Sequence, residues 1–277
     1  VLGRDARAAR TALKRFEREV QLSTQLKNPH TITIYDYGQT PEGEFFYVME
    51  LLEGIDLETF VKRYGPAPAS RAMHWLHQAC ASLAEAHERG LIHRDVKPAN
   101  LYTCRYGLQT DFLKVLDFGL VKNENLSDPG ATRMTVEQGA TGTPAYMPPE
   151  IALGKETDER SDVYALGCVA YWLVTGRTVF EGSTPMEVVV QHAREEPIRP
   201  SLSTELEVPE DLEAIIMRCL EKDRADRPPT AEQLARELAA CSDFGAWTDE
   251  SSRRWWDIHR AAESVESGAL DPAGTTE

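Results

Sequence analysis

The sequence predicts an α+β protein in which a small strand-containing part precedes a larger, mainly helical part. Short runs of β-branched and aromatic residues lie mostly before residue 53, and such runs favour strands. After Gly54 most apolar residues recur at helical spacing, which favours amphipathic helices. The length of 277 residues suits one large domain or two lobes.

The composition argues against several classes of protein. With 30 Lys and Arg against 45 Asp and Glu, the formal net charge is −15, which argues against a nucleic-acid partner and against docking on an anionic membrane. Hydrophobic residues make up 42% of the chain, too many for a disordered protein. The most apolar stretch, residues 163–174, is too short for a membrane segment.

The cysteines indicate a reducing compartment. There are five, an odd number, and no two have C-x-x-C spacing. We therefore expect buried thiols in the cytoplasm, and neither a disulfide framework nor a zinc site.

The N-terminal part is predicted to contain one helix and two strands. Residues 5–27 carry apolar side chains at roughly helical spacing, and Asn28-Pro29 ends this helix. Residues 32–37 and 45–50 are predicted strands, joined by a turn at 41–43.

After Gly54 we predict helices almost to the end of the chain. Residues 91–120 are the exception, because they carry short apolar runs, of which 112–116 favours a strand. The predicted helices are residues 70–89, 161–176 with Gly176 as C-cap, a helix that begins at Thr184-Pro185, and 231–240. Residues 121–150 lack periodicity and predict a long loop. In the acidic tail we expect a short helix around residues 247–256, followed by disorder.

The strongest chemical signal is the run His93-Arg94-Asp95-Val96-Lys97-Pro98-Ala99-Asn100, followed downstream by Asp117-Phe118-Gly119. Asp95, Lys97 and Asn100 share one short loop, and Asp117 follows the apolar run 112–116. Two carboxylates, an amide and an ammonium that converge suit an anionic substrate with Mg²⁺, which prefers a few oxygen ligands and phosphate.

At these two motifs the chain resembles the bacterial Ser/Thr protein kinases of the eukaryotic-like family. The catalytic-loop pattern of that family is matched at His93, Arg94, Asp95 and Asn100, and its metal-binding pattern at 117–119. The resemblance covers about residues 1–240 and implies a two-lobed protein kinase fold. Its divisions would be a partial N-terminal β lobe (1–53), a complete, mainly helical C-terminal lobe (54–242) and an acidic, partly disordered tail (243–277).

The resemblance implies a role for each residue of these motifs. Asp95 would accept the proton of the substrate hydroxyl or orient that hydroxyl, and Lys97 would contact the transferring phosphoryl group. Asn100 and Asp117 would hold Mg²⁺ on the phosphates of ATP. A lysine at position 97 indicates Ser or Thr, and not Tyr, as the acceptor.

Further residues match positions that order the large lobe of the family. The segment 142–150, which includes Thr143, resembles the end of an activation segment, although Pro148 departs from the usual Ala or Ser. The resemblance implies that Arg227 pairs with Glu150 and that Asp162 holds the backbone of the catalytic loop.

The segment Met49-Glu50-Leu51-Leu52 resembles the hinge of the family. Met49 would lie at the back of the adenine pocket, and the backbone of Glu50 and Leu52 would bond the adenine. Asp56 stands where the family often has a carboxylate for the ribose, but it also suits the N-cap of a helix that starts at residue 57. Both interpretations remain open.

One part of the family pattern is missing. Glu19 matches the Glu of the first helix of the family, whose partner is a lysine on the preceding strand. The chain contains no G-x-G-x-x-G, and its first lysine, Lys14, lies inside the predicted helix. The resemblance therefore implies a domain truncated at its N-terminus, and residues 1–277 alone are expected to bind ATP weakly.

A switch is also implied, because Arg94 directly precedes Asp95. Family members with this arginine usually need a negative charge in the activation loop. Thr135 lies where bacterial relatives often carry a phosphorylated threonine, and Glu137 offers a permanent charge close by. We expect phosphate on Thr135 to order the loop through contacts with basic groups.

These patterns together predict a Ser/Thr protein kinase that uses ATP and Mg²⁺ and acts on protein substrates. Two alternatives stay open. A pseudokinase or interaction scaffold would explain the absent Gly-rich loop and lysine. A small-molecule phosphotransferase would use an Asp and an Asn in the same way, but it would lack the 142–146 segment and the pairing of Arg227 with Glu150. Neither the substrate nor the oligomeric state follows from these patterns.

Overall fold

The structure is a computed structural model that describes residues 20, 22–40, 45–118 and 144–268. Six residues singled out above lie outside this range: Lys14, Glu19, Gly119, Thr135, Glu137 and Thr143. The same holds for most of the predicted helix 5–27, the predicted turn 41–43 and residues 121–143 of the predicted loop. The strands are β1 (Ile34–Gln39), β2 (Phe45–Met49), β3 (Gly54–Asp56), β4 (Leu101–Tyr106) and β5 (Gln109–Val115). The helices are α1 (Leu57–Tyr64), α2 (Ala69–Glu88), α3 (Pro149–Ala152), α4 (Glu159–Thr175), α5 (Pro185–Arg194), α6 (Glu210–Cys219), α7 (Ala231–Ala239) and α8 (Asp249–Gly268).

The described strands form two small antiparallel sheets, β1–β2 and β3–β4–β5. The expectation that the chain becomes helical after Gly54 is therefore wrong at β3. Strand β4 lies within the stretch 91–120 of short apolar runs, where the sequence predicts only 112–116 as a strand. The central strand β4 pairs with β3 on one side and with β5 on the other. Its extended conformation is stabilised by these two neighbours, and a short segment of this kind carries little signal of its own.

The β1–β2 sheet is tied to the helical part by the segment that precedes β1. The backbone nitrogen of Asn28 donates to the Glu85 carboxylate of α2 at 2.7 Å. The nitrogen of Ile32 donates to the carbonyl of Val115, at the end of β5, at 3.0 Å. These contacts hold the small sheet beside the end of β5.

Helices α2 and α4 form the centre of the core. Nearly every side chain of α4 from Ser161 to Thr175 is buried, as expected for a helix enclosed on all sides. Gly167 lets α6 approach closely, because an added Cβ would lie 2.6 Å from the Cβ of Cys219. Gly176 ends α4 at a φ of 70°, and this C-cap confirms the sequence prediction.

The C-terminal helix α8 extends to Gly268, well beyond the short helix predicted around residues 247–256. Trp255 on α8 packs against Phe60 of α1, with ring centroids 5.1 Å apart. The helix is stabilised by this contact with a distant part of the chain, which helical spacing within the tail does not reveal.

Two further expectations concern cysteines and membranes. All five cysteines are buried and unpaired. Within the part of the chain that the structure describes, no helix has the length and apolar character needed to cross a membrane.

Candidate active site

The loop 93–100 lies between the end of α2 and the start of β4. A 3-10 turn over Pro98–Asn100 leads directly into β4. Leu116, just after β5, donates its backbone N–H to the carbonyl of Asn100 at 2.9 Å. The loop and the segment that follows β5 are thereby joined at the open end of the β4–β5 hairpin.

Asp162, in the first turn of α4, holds the backbone of this loop. Its two carboxylate oxygens accept the N–H groups of His93 and Arg94, each at 2.8 Å. His87 of α2 contacts the same carboxylate at 2.8 Å. Arg94 has a φ of 64°, a left-handed conformation that a non-glycine residue rarely adopts and that its surroundings must stabilise.

His93 connects the loop to the segment that carries Asp117. The N–H of Asp95 donates to His93 Nδ1 at 3.2 Å, so Nδ1 is the acceptor. Nε2 then carries the proton and donates to the carbonyl of Leu116 at 2.8 Å. The imidazole also packs on Phe118, with ring centroids 4.7 Å apart.

Asp95, Lys97 and Asn100 converge as their spacing predicts. Lys97 Nζ lies 2.9 Å from Asp95 Oδ2. The amide nitrogen of Asn100 donates to the Asp95 carbonyl at 2.8 Å and to Oδ2 at 3.3 Å. An ammonium and an amide thus fix the orientation of the Asp95 side chain.

Asp117 is held by a residue that the sequence analysis missed. The hydroxyl of Tyr47, on β2, donates to Asp117 Oδ1 at 3.1 Å. Burial and the neighbouring Asp117 carboxylate raise the pKa of Tyr47 to about 12, so the hydroxyl keeps its proton and acts as the donor. Asp117 itself has a φ of 55°. Tyr47 falls within a predicted strand, but 70 residues separate it from Asp117, and only the fold brings them together.

Asn100 and Asp117 fit a magnesium ion. The amide nitrogen of Asn100 faces Asp95, which directs its carbonyl oxygen elsewhere, and an oxygen is the ligand Mg²⁺ requires. Asp117 supplies a carboxylate. A site with one carboxylate and one amide oxygen suits an ion that takes its remaining ligands from water and phosphate.

The predicted hinge begins at the end of β2. The backbone N–H of Glu50 donates to Thr33 at 3.0 Å, and its carboxylate accepts from Lys114 Nζ at 2.7 Å. Burial acts to raise the pKa of Glu50, but hydrogen bonds from Lys114 and Thr33 outweigh it and lower the pKa. Lys114, buried on β5, is a second residue that sequence reasoning did not identify. Met49 and Leu52 flank this pair and are partly exposed.

Asp56 occupies the N-cap position of α1. Its carboxylate accepts the backbone N–H of Thr59 at 2.8 Å and the hydroxyl of Thr59 at 2.7 Å. Of the two interpretations left open, the structure supports the cap. A contact with ribose remains a prediction.

Glu150 and Arg227 form a buried bidentate ion pair, with both hydrogen bonds at 2.9 Å. The hydroxyl of Ser161 donates to the same carboxylate at 2.6 Å. Burial acts to raise the pKa of Glu150, but Arg227 and Ser161 outweigh this effect and lower the pKa. The pair fastens α3, where the predicted activation segment ends, to the loop that precedes α7.

Comparison with known sequences gives one family and many relatives. A family model described as "Protein kinase domain" matches residues 4–238. The serine/threonine-protein kinase pkn3 of Myxococcus xanthus is 36% identical over 241 residues, which cover 87% of this chain and 44% of that protein. The serine/threonine-protein kinase PknB of Mycobacterium tuberculosis is 39% identical over 227 residues, which cover 81% of this chain and 35% of that protein. The chain thus spans less than half the length of these relatives.

Solved structures share the fold. A structure of Rad53 in complex with AMP-PNP gives a TM-score of 0.66 at 24% identity, and covers 80% of this chain and 53% of the Rad53 chain. The kinase domain of PknI from Mycobacterium tuberculosis gives a TM-score of 0.63 at 24% identity, and covers 84% of this chain and 81% of the PknI chain. At this identity the likeness concerns the fold alone.

Proposed function

Because the chain belongs to the protein kinase domain family, we propose that the protein transfers the γ-phosphoryl group of ATP to serine or threonine hydroxyls of other proteins. The proposal rests on one observation. Asp95, Lys97 and Asn100 are joined by hydrogen bonds, and a backbone hydrogen bond connects their loop to the segment that leads to Asp117. Two similar proteins named as serine/threonine-protein kinases support the choice of acceptor.

Asp95 and Lys97 act on the two reacting groups. Asp95 accepts a hydrogen bond from the substrate hydroxyl and orients its oxygen toward the phosphoryl group. Lys97 lies 2.9 Å from Asp95, so its ammonium stands beside the point of transfer. There its charge stabilises the negative charge that spreads over the phosphoryl oxygens in the transition state. Catalysis comes mainly from positioning and electrostatics.

Asn100 and Asp117 are the residues that would hold Mg²⁺. When bound, the ion neutralises charge on the phosphate oxygens of ATP. The Leu116 to Asn100 backbone hydrogen bond keeps the two ligand-bearing segments adjacent, and Tyr47 orients the Asp117 carboxylate. AMP-PNP, an ATP analogue, is bound in the Rad53 structure, and this supports ATP as the phosphoryl donor.

The nucleotide base lies at the hinge in this proposal. The backbone of Glu50 and Leu52 bonds the adenine, and Met49 lines the back of its pocket. The ion pair between Glu50 and Lys114 supports this assignment, because it fixes the end of β2 against β5. The main role of Asp56 is to cap helix α1, and its contact with the ribose is a secondary role.

Regulation and location complete the proposal. Phosphate on Thr135 would order the activation segment through Arg94, while the Glu150–Arg227 pair fixes the end of that segment. Glu19 would pair with a strand lysine.

The five unpaired cysteines support a cytoplasmic location for this domain.

The test is phosphoryl transfer from γ-labelled ATP to a basic Ser- and Thr-containing protein by the full-length gene product. Asp95→Asn should lower turnover by roughly 10²–10⁴-fold, because the acceptor hydroxyl loses its base and orienting group. ATP affinity should stay unchanged, since Asp95 meets the acceptor and not the nucleotide. The control is Glu205→Gln, an exposed acid outside the site.

Three outcomes would contradict parts of the proposal. Near-normal transfer by Asp95→Asn would overturn the role of Asp95. ATP binding without any transfer by the unaltered protein would favour the pseudokinase alternative. Label found on tyrosine would overturn the Ser/Thr assignment.

A further inference from the structure

A buried ion pair joins helix α2 to the turn end of the β4–β5 hairpin, beneath the C-terminal segment. Arg71 on α2 and Asp111 on β5 form two hydrogen bonds of 2.8 Å. Their side chains are 1% and 0% exposed. Neither residue belongs to the motifs of the active site.

Tryptophans of the C-terminal segment complete the surroundings of this pair. Trp247 Nε1 and Trp256 Nε1 donate to the two oxygens of Asp111 at 2.8 and 2.7 Å. The guanidinium of Arg71 lies 4.0 Å from the ring of Trp255, a favourable cation–π contact. We call Arg71, Asp111, Trp247, Trp255 and Trp256 the Arg71–Asp111 cluster. The three tryptophans lie beyond residue 238, where the family match ends.

The backbone around Asp111 shows that the cluster constrains the hairpin. Asp111 has a φ of 53°, an unfavourable conformation for a residue with a side chain unless the surroundings stabilise it. Next to it, the hydroxyl of Thr110 accepts a hydrogen bond from Ser252 of α8 at 2.6 Å. Ser252 is 2% exposed, so helix and strand are in tight contact there.

The same hairpin carries the two proposed magnesium ligands at its other end. Asn100 directly precedes β4, and Asp117 follows β5 by two residues. Six residues separate Asp111 from Asp117, which is about 20 Å along an extended strand. A two-stranded hairpin is only marginally stable by itself, so support at its turn end affects the separation and orientation of the groups at its open end.

We propose that the C-terminal segment 243–259 is a brace that positions Asn100 and Asp117 through the β4–β5 hairpin. Trp247 and Trp256 are positioning residues, because they act through Asp111 and do not touch the substrate. The inference rests on the proposed function, in which Asn100 and Asp117 hold the magnesium ion. When the segment leaves, Asp111 loses two N–H donors and its surroundings fill with water, and the hairpin loses its support.

The main experiment detaches the segment without changing any residue of the active site. Ser252→Glu places a carboxylate at a buried position against Thr110, which should expel α8 from the hairpin. Ile258→Glu adds the same charge to the same helix at a position that is 58% exposed, and is the matched control. Hydrogen exchange of residues 249–259 reports whether the segment is docked.

Two readouts separate positioning from general stabilisation. The first is the affinity for a non-hydrolysable ATP analogue with Mg²⁺, compared with the affinity in EDTA. Mg²⁺ increases the affinity for the nucleotide, and Ser252→Glu should reduce this increase at least threefold. The affinity in EDTA should stay unchanged. The second is exchange of the Leu116 amide, which should accelerate at least tenfold while amides of α4 keep their protection. Ile258→Glu should match the unaltered protein in both.

A gentler pair of variants removes only hydrogen-bond donors. Trp247→Phe combined with Trp256→Phe keeps the rings but deletes both N–H groups that reach Asp111, and should shift both readouts in the same direction by a smaller factor. The control is Trp172→Phe, whose Nε1 has no hydrogen-bond partner among the described residues.

Several results would overturn the brace. One is a detached segment in a protein whose nucleotide affinity still increases with Mg²⁺ as before and whose Leu116 amide exchanges at an unchanged rate. If the segment stays docked in Ser252→Glu, the combined Trp247→Phe and Trp256→Phe variant decides, and unchanged readouts there overturn the brace. If the unaltered protein binds no nucleotide even with Mg²⁺, the proposed function fails, and exchange of the Leu116 amide alone then decides the brace.

Discussion

Two buried carboxylates connect separate parts of this molecule: Asp162 beside the loop 93–100 and Asp111 beneath the C-terminal helix. Asp162 accepts two backbone N–H groups of consecutive residues, together with the imidazole of His87. The carboxylate oxygens of Asp111 accept hydrogen bonds from the side chains of Arg71, Trp247 and Trp256, and a longer one from the Thr103 hydroxyl at 3.4 Å. The first carboxylate shapes a loop, and the second joins three separate segments.

This difference explains why a sequence motif can indicate the contacts of Asp162 but not those of Asp111. A carboxylate that binds backbone needs an acid at one position, and any residue supplies the N–H groups. Around Asp111 three different side chains must be present at separations of 40, 136 and 145 residues. Such separations follow from packing alone, and no short motif contains them.

The largest expected effect is the loss of Arg71. Arg71→Ala leaves Asp111 buried without its cation, and breaking a buried pair in this way costs about 3–5 kcal/mol of unfolding free energy. Urea unfolding followed by tryptophan fluorescence measures it. Arg236→Ala breaks an exposed pair on one helix and should cost under about 0.5 kcal/mol. Equal effects of the two variants would show that the Arg71–Asp111 cluster is no stronger than a surface contact.

A third buried polar side chain, His192, makes the stability of the protein depend on pH. Burial, together with nearby Lys222, lowers the pKa of His192 to about 4. Between pH 6.5 and pH 4 the unfolded chain therefore binds more protons than the folded one, and stability falls as the pH drops through this window. The loss attributable to His192 is about 3 kcal/mol.

The check for His192 is urea unfolding at a series of pH values. His192→Gln removes the titrating group and should flatten the dependence between pH 6.5 and pH 4 relative to the unaltered protein. An identical slope in both proteins would assign the loss of stability in acid to the buried carboxylates instead.

Asp162→Asn should cost about 2 kcal/mol, less than the loss of Arg71. The amide keeps one acceptor oxygen but turns an N–H₂ group toward the loop, so one backbone N–H is left buried without a partner. The same urea assay measures the stability. Exchange of the His93 and Arg94 amides should also accelerate, and protected amides at both positions would argue against Asp162 as the anchor.

The smallest expected effect concerns Tyr47. Tyr47→Phe removes the hydroxyl that donates to Asp117 and should weaken Mg²⁺-dependent nucleotide binding a few-fold, the equivalent of about 1 kcal/mol for one hydrogen bond. Titration with an ATP analogue measures this change. Tyr37→Phe, which alters the residue paired opposite on β1, is the control, and an equal effect of both would point to the small sheet as a whole.

Much of the candidate site follows from linear spacing. Asp95, Lys97 and Asn100 lie within six consecutive residues, and a loop of that length must bring their side chains close together. The predicted kinase fold class is confirmed by the family match and by the solved structures. The long helix α4 and its C-cap at Gly176 were predictable because their signals are local: a continuous apolar run and a glycine that tolerates positive φ.

Other features depended on contacts between distant residues. Strand β4 exists because β3 and β5 pair with its two edges. Tyr47 reaches Asp117, and Lys114 reaches Glu50, only after the two sheets have come together. Helix α8 was expected to be short because its own residues are mostly polar and charged, yet its tryptophans find Arg71 and Asp111 in the finished fold.

The proposed chemistry can be predicted from the sequence, because Asp95, Lys97 and Asn100 lie on one short loop and are held close together by covalent connection. Only the folded structure shows which residues support these groups: Tyr47 contacts Asp117, Lys114 contacts Glu50, and tryptophans surround Asp111. A side chain that acts across 64 or more residues is positioned by packing of the whole core, and the free energy of that packing is shared among many residues. No local pattern records it.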